Sequence, residues 1–250
     1  MVTSLELEAY CNELLSTAAF DDYCPNGLQV EGSRPVRRLV TGVTASLALI
    51  EAAIAVEADA LLVHHGWFWK GESPCLTGLK GRRARALITA GASLLAYHLP
   101  LDAHPELGNN RQLAARLGIE APEPTPAGHG LVWRGRLPEP LEGEAFAVRV
   151  GAALGRVPLR IAGRGTPLVT IAWCTGAAQG FIAEAATLGV DAYLSGEISE
   201  QTTHLARELG LDYFAAGHHA TERLGIQALG EHLAARFHLE HRFLDIDNPA

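Results

Sequence analysis

Clustered basic residues are missing from this sequence. Its 20 Lys and Arg stand against 28 Asp and Glu, a formal charge of −8. The one dense basic run, residues 80–85, reads as the wet face of a helix. A nucleic-acid groove or an anionic membrane surface needs clustered Lys and Arg, so neither is expected as a partner. Also missing is any apolar run approaching the roughly 18 residues of a membrane span. The N-terminus has no basic segment leading into an apolar core and a small-residue cleavage site. Cysteine is sparse: Cys11, Cys24, Cys75 and Cys174 stand far apart with no C-x-x-C, which excludes a zinc ribbon and a dithiol redox motif. Reduced thiols and the lack of a leader point to a soluble cytoplasmic protein. What the chain does have is 250 residues, 48% of them hydrophobic, enough to build a real core in one large α/β domain or two smaller ones.

Periodicity orders these residues. Positions 4–19 read as an amphipathic helix with Leu7, Cys11, Leu14, Leu15 and Ala18 on one face, behind a Thr3-x-x-Glu6 capping box. Pro25-Asn26-Gly27 is a turn, and residues 28–32 lead out of it. Strand 39–43, helix 46–57, strand 59–63, helix 79–90 and strand 93–99 then form βαβαβ, hence a parallel sheet. After a helix at 110–117, Pro122, Pro124, Pro126, Gly128, Pro138 and Pro140 break all periodicity, and the domain seam is placed there. The pattern restarts with helix 145–154, strands 159–162 and 168–173, helix 180–188, strand 191–195, helix 199–209, strand 212–216, helix 221–237 and a last strand, 242–246. Residues 40–44 match 169–173, and 58–62 match 190–194. A duplicated three-strand unit follows from these matches: two similar α/β lobes, 1–125 and 126–250.

The stretch that most needs a chemical explanation is an apolar strand ending in His64-His65-Gly66. Successive strand side chains point to opposite faces, so both imidazoles serve one site only where the chain is leaving the sheet, a departure Gly66 makes easy. Neutral imidazole is the commonest metal ligand. In open parallel sheets, polar sites collect beyond the carboxyl ends of strands. Every suspicious polar group here lies at such an end: His64 and His65; His98 and Asp102 with His104; Ser195-Gly196-Glu197; and His218-His219 with Glu222. The spacings from His218 and from His219 to Glu222 each give a shared helical face. Two divalent cations would bring +4 against −2 from Asp102 and Glu222, and the excess would hold a bridging hydroxide or draw an anionic substrate. Imidazole and carboxylate without thiolate suit Zn, Mn, Fe or Ni better than Ca or Mg.

Several longer motifs carry a resemblance. Residues 25–32 (PNGLQVEG), 63–66 (VHHG) with 68–72 (FWKGE), 98–102 (HLPLD), 108–110 (GNN), 195–197 (SGE) and 216–222 (AGHHATE) resemble the YbgI / Nif-three-like family, whose members are often labelled GTP cyclohydrolase 1 type 2 homologues. The resemblance runs from the first helix to the last strand. It implies two α/β lobes facing a metal-binding cleft, a dinuclear metal centre there, and a toroidal homohexamer. Carried over residue by residue, it implies His64, His65, Asp102, His218 and Glu222 as the metal ligands, with Glu222 bridging. A long insertion common between the family's halves is absent, as in its compact bacterial type.

Other residues keep two readings each. His98 is a donor or proton shuttle beside the metals, or a buried imidazole bonded to a backbone carbonyl. Glu72 and Glu197 are general bases or solvated loop residues, and Lys70 binds phosphate or lies exposed. Trp67, Phe68 and Trp69 form a base-stacking lid or pack between lobes or subunits. Residues 176–180 are a turn rather than a phosphate cradle, Asn109-Asn110 caps a helix, and His129, His232, His238 and His241 lie at the surface. Two functions follow. The first is a metal-dependent hydrolase using a metal-bridging hydroxide on a small anionic substrate, which the family label makes a purine nucleotide. The second is a metal-handling, chaperone-like homo-oligomer that binds metal and passes it on.

Overall fold

The computed structural model describes residues 1–250, which form two compact units, Met1–Gly108 with Gly225–Asp247 and Asn109–Leu224 with Asn248–Ala250. The first unit opens with α1 (Ser4–Leu14), β1 (Gly27–Val30), β2 (Arg38–Thr44), α2 (Leu47–Ala55), β3 (Ala60–His65), α3 (Gly78–Ala90), β4 (Ser93–Ala96) and α4 (Leu99–Ala103). The second holds α5 (Asn109–Leu117), β5 (Glu120–Pro124), β6 (Trp133–Leu141), α6 (Gly143–Leu154), β7 (Leu159–Ile161), β8 (Leu168–Cys174), α7 (Ile182–Thr187), β9 (Ala192–Ser195), α8 (Glu200–Leu209) and β10 (Asp212–Ala215). Helix α9 (His218–Phe237) starts in the second unit and continues in the first, where β11 (Glu240–Phe243) follows it. No helix is long and apolar enough to cross a membrane.

The first sheet has the order β1-β4-β3-β2-β11, parallel except for β1. The second has the order β5-β6-β8-β9-β10-β7, with β8, β9 and β10 parallel and the others antiparallel. Strand β3 is buried along Ala60, Leu61, Leu62 and Val63, as expected of a central parallel strand covered on both faces. Each unit has its own apolar core: Leu7, Leu39, Leu62, Leu95, Ile226 and Leu233 in the first, and Phe146, Ile171, Trp173, Leu194 and Phe214 in the second. The Thr3–Glu6 capping box forms as read, although α1 stops at Leu14.

The parallel cores repeat one device. The Asp59 carboxylate accepts the backbone N–H groups of Arg37 and Arg38, both at 3.0 Å, and fixes where β2 starts beside β3. Asp191 accepts those of Val169 and Thr170 at 3.0 and 2.8 Å and does the same for β8 and β9. Strand pairing matches too, with Leu39 opposite Ala60 and Ile171 opposite Ala192. The sequence match of 58–62 with 190–194 is therefore in register. That of 40–44 with 169–173 is not: the pairing sets Leu39 against Ile171, so the sequence match is out of step by an odd number of residues, which would exchange the two faces of the strand.

Three other expectations change. The proline-rich stretch is not a structureless seam but contains β5 and β6. Pro122 and Pro124 lie on the edge strand β5, and Pro138 and Pro140 fall where the register with β8 shifts, positions that need no ladder donor. A division at residue 125 also misplaces the C-terminus, because β11 pairs in parallel with β2 and joins the first sheet. Finally, residues 27–30 are themselves a strand, antiparallel to β4.

Candidate metal centre

In the first unit, β3 runs through both imidazoles, and His65 is paired with Thr44 of β2. The expectation that the chain leaves the sheet before them is corrected: the departure comes at Gly66. A Cβ there would stand 2.5 Å from the Cβ of Ala96, so only glycine lets the chain turn this close to β4. The two rings nonetheless come within 4.7 Å of each other, tilted by 44°. His64 is fully buried, and its Nδ1 lies 2.9 Å from the carbonyl oxygen of Tyr97. A carbonyl only accepts, so Nδ1 carries the proton and Nε2 the lone pair. That Nε2 is 3.5 Å from Oδ1 of the buried Asp102, carried by α4. His65 Nδ1 is 3.0 Å from the Thr44 hydroxyl.

His98, just after β4, shows the same arrangement. Its Nδ1 is 2.9 Å from Oδ1 of Asp22, and one ring nitrogen each of His64, His65 and His98 lie within 4.8 Å of one another. Burial would raise the Asp22 pKa, but bonds from His98, the Asn26 amide and the Leu99 backbone outweigh it and bring the carboxyl down to about 2. Asp22 is thus ionised, and His98 Nδ1 is the donor.

In the second unit, α9 begins at His218, so His218 and Glu222 share a face one turn apart. His218 Nδ1 donates to Glu197 Oε1 at 2.7 Å, and its Nε2 lies 3.1 Å from Glu222 Oε2. Burial lowers the His218 pKa, but hydrogen bonding and charge from Glu222, then Glu197, overcome that and push it up to about 9. The Gly176 turn makes room for this pair. Gly176 has φ +70°, and a Cβ there would overlap the Glu222 carboxylate. Within the glycine-rich residues 176–180, Gly176 therefore serves close approach of the backbone to Glu222.

In each unit an imidazole nitrogen thus faces a carboxylate oxygen with its other nitrogen already donating. Two lone pairs at 3.1–3.5 Å repel unless a positive charge lies between them. A proton does this for His218, as its raised pKa records; a divalent cation would do it for both pairs. Metal-bound histidines characteristically donate their second nitrogen to a carboxylate or carbonyl, which fixes tautomer and ring direction. Tyr97 and Glu197 provide such acceptors here for His64 and His218, and the Thr44 hydroxyl is placed to serve His65 likewise. The donor set fits a divalent transition metal.

Other sequence-flagged residues have different surroundings. Glu72 pairs with Lys80 at 2.9 Å on the surface, and Lys70 is exposed. Trp67 is core, 3% exposed, with its indole N–H bonded to the Ala45 carbonyl. Phe68 lies under the Lys80 ammonium, so only Trp69 of the three aromatics reaches the imidazoles, 5.9 Å from His65 and 5.1 Å from His98. His129 and His238 are exposed, whereas His232 and His241 are corrected to half-buried residues bonded to Tyr10 and Thr41 at 2.7 and 2.8 Å. His104 Nδ1 accepts the Glu106 and Leu107 backbone N–H groups and closes a turn. Sequence reasoning missed Asp22, Thr44 and the Tyr97 carbonyl. The proximity of Asp22 to the Pro25-Asn26-Gly27 turn was the only signal for any of them.

The fold and these residues define a class: an α/β protein of two sheets, each with imidazoles and carboxylates of metal-ligand type at or just beyond the carboxyl ends of its parallel strands. The chain belongs to the Duf34/NIF3 (NGG1p interacting factor 3) family, whose model matches residues 2–249. It is 63% identical over 245 residues to a protein of Allochromatium vinosum named "GTP cyclohydrolase 1 type 2 homolog", covering 98% of this chain and 96% of that one. Among solved structures, the protein ybgI, described as of unknown function, superposes with a TM-score of 0.94 at 52% identity over the full length of both chains. A Thermus thermophilus protein does so with a TM-score of 0.91 at 36% identity, again over both full lengths.

Proposed function

We propose that the protein binds two divalent ions through His64, His65, Asp102, His218 and Glu222 and is a metal-dependent hydrolase of a small anionic substrate. What supports this most is the facing of an imidazole nitrogen and a carboxylate oxygen in each unit, an arrangement completed by a positive charge between them. Zn, Mn, Fe or Ni ions would supply Lewis acidity and an excess positive charge that attracts anions. The chain's own residues hold the ligands: Tyr97 and Thr44 aim His64 and His65, and Glu197 aims His218. The name carried by the relatives directs the substrate search to purine nucleotides first. Elemental analysis of protein purified without added metal, followed by a screen of phosphate and ring-opening substrates, tests the reading. We expect two ions per chain and turnover that a chelator abolishes; saturation at one ion removes the two-ion reading.

One observation favours a second reading, metal handling without turnover. Glu72 is tied to Lys80 and Glu197 to His218, which leaves neither as a spare general base. Release of the bound ions to a competing acceptor protein, with no turnover across the screen, would select it. In either case we propose a cytoplasmic homo-oligomer, a toroidal hexamer as the family resemblance implies. The aromatic stretch does not support this as expected, because Trp67 is buried within its own chain. Exposed Leu76, Leu79 and Ile88, in and just before α3, are the better candidates for covered surface. Light scattering should give six chains, and a monodisperse monomer at micromolar concentration would rule the assembly out.

A further inference from the structure

We propose that His98, held by Asp22, is a ligand-positioning residue: its Nε2 accepts a hydrogen bond from an N–H or O–H of the molecule bound beside the metal ligands. The inference rests on the metal-dependent reading above and names a property of its ligand.

Unlike His64 and His218, whose Nε2 atoms face Asp102 and Glu222, His98 Nε2 meets no carboxylate. The His98 carbonyl accepts from the Leu101 and Asp102 backbone N–H groups, its backbone N–H donates to Asn26 Oδ1 at 2.7 Å, and its ring makes one hydrogen bond, Nδ1 to Asp22 at 2.9 Å. Its side chain is only 9% exposed. A lone pair is therefore held, without a protein donor, on a buried ring whose centroid lies 5.1 Å from that of His64 and 5.7 Å from that of His65. The ring cannot turn away, because Tyr23 packs against it at 5.2 Å and Trp69 at 5.1 Å, both edge to face. Nor can the tautomer change easily, since Asp22 is ionised and demands the Nδ1 proton.

A separate metal site at Asp22, Cys24 and His98, whose donor atoms also cluster, fits poorly. The Asp22 oxygens already accept from Tyr23, Asn26, His98 and Leu99. Burial and then the Asp22 charge push the Cys24 thiol up to about 12, so no thiolate is available. What remains is a fixed acceptor. It favours ligands that carry a donor next to their metal-binding atom, such as amides, hydroxamates, hydroxyls and heterocyclic N–H groups, over all-acceptor anions such as carboxylates, whose lone pairs would face its own.

The test uses the metal-loaded full chain with two probes, acetohydroxamic acid, which has donors, and acetate, which has none. His98→Asn keeps an amide donor for Asp22 but has nothing at the Nε2 place, whereas His98→Gln can put a carbonyl there. We expect His98→Asn to weaken hydroxamate binding about tenfold while acetate binding and metal content stay as in the wild type, and His98→Gln to restore part of the loss. Calorimetry reads the probes, elemental analysis the metal, and thermal melting the fold. Loss of both probes in equal proportion, or hydroxamate binding unchanged in His98→Asn, overturns the proposal. A fall in metal content with His98→Asn overturns it as well, by making His98 a ligand. A wild-type chain that takes up no metal instead fails the underlying reading of the site, and the proposal with it.

Discussion

At the scale of single residues, the site divides into groups that would touch metal and groups that aim them, and the two should respond differently. If Glu222 bridges both ions, as the family resemblance implies, Glu222→Ala should lose at least one ion at saturation. Glu197→Ala removes only the acceptor that aims His218, so metal affinity should fall about tenfold to a hundredfold with the number of ions unchanged. Titration of both apo-variants with Mn or Zn reads the difference, and two ions bound to Glu222→Ala at unchanged affinity would refute the bridge. The proposed ligands were legible in the sequence because they lie in short motifs next to strand ends. Their orienting partners were not: Asp22 is 76 positions from His98 and Glu197 21 from His218, separations that local spacing cannot connect. Asp22 also has a pH signature. A carboxyl lowered to about 2 in the fold contributes stability above the ordinary carboxyl range and loses it as pH falls toward 2. Asp22→Ala should therefore cost about 1–3 kcal/mol at pH 7, and the gap to the wild type in urea melts should narrow between pH 4 and pH 2.

At the scale of elements, periodicity located most helices and the strands of the parallel cores because those cores are strongly apolar, as in β3, and it missed β1, α4, β5 and β6. It failed where composition and pairing disagree. Pro122 to Pro140 read as a break, yet strands tolerate proline where no ladder bond needs its missing N–H, and only the observed pairing identifies such positions. The register error in matching 40–44 with 169–173 has a similar cause. Two β-branched runs look alike at several offsets, and the distinguishing feature is the Asp59 and Asp191 carboxylate that fixes where each first strand begins. Those carboxylates should carry stability. Asp191→Ala leaves the Val169 and Thr170 backbone N–H groups and the Thr170 hydroxyl without their acceptor, and should cost about 1–3 kcal/mol in urea denaturation without altering metal binding.

At the scale of the whole molecule, the sequence pattern did not assign the C-terminal residues 225–247 to the first unit, whose sheet they join through the long-range pairing of β11 with β2. The same organisation decides what metal does for stability. Each unit has an apolar core drawn from its own residues, so we expect neither to need a cation to fold. Metal should act by mass action on a folded protein, in contrast to zinc-finger domains that are unfolded without it. A single site filled at a free metal concentration 100 times its Kd contributes about 2.7 kcal/mol, which for a chain of this size corresponds to a rise in melting temperature of about 5–11 °C. Chelation should therefore lower the melting temperature by that order while the far-ultraviolet circular dichroism at 25 °C stays unchanged. The raised His218 pKa supports this expectation: without metal, a proton lies between its imidazole and the Glu222 carboxylate. Collapse of the dichroism signal on chelation would instead make the ions part of the core and remove the separation between fold and site.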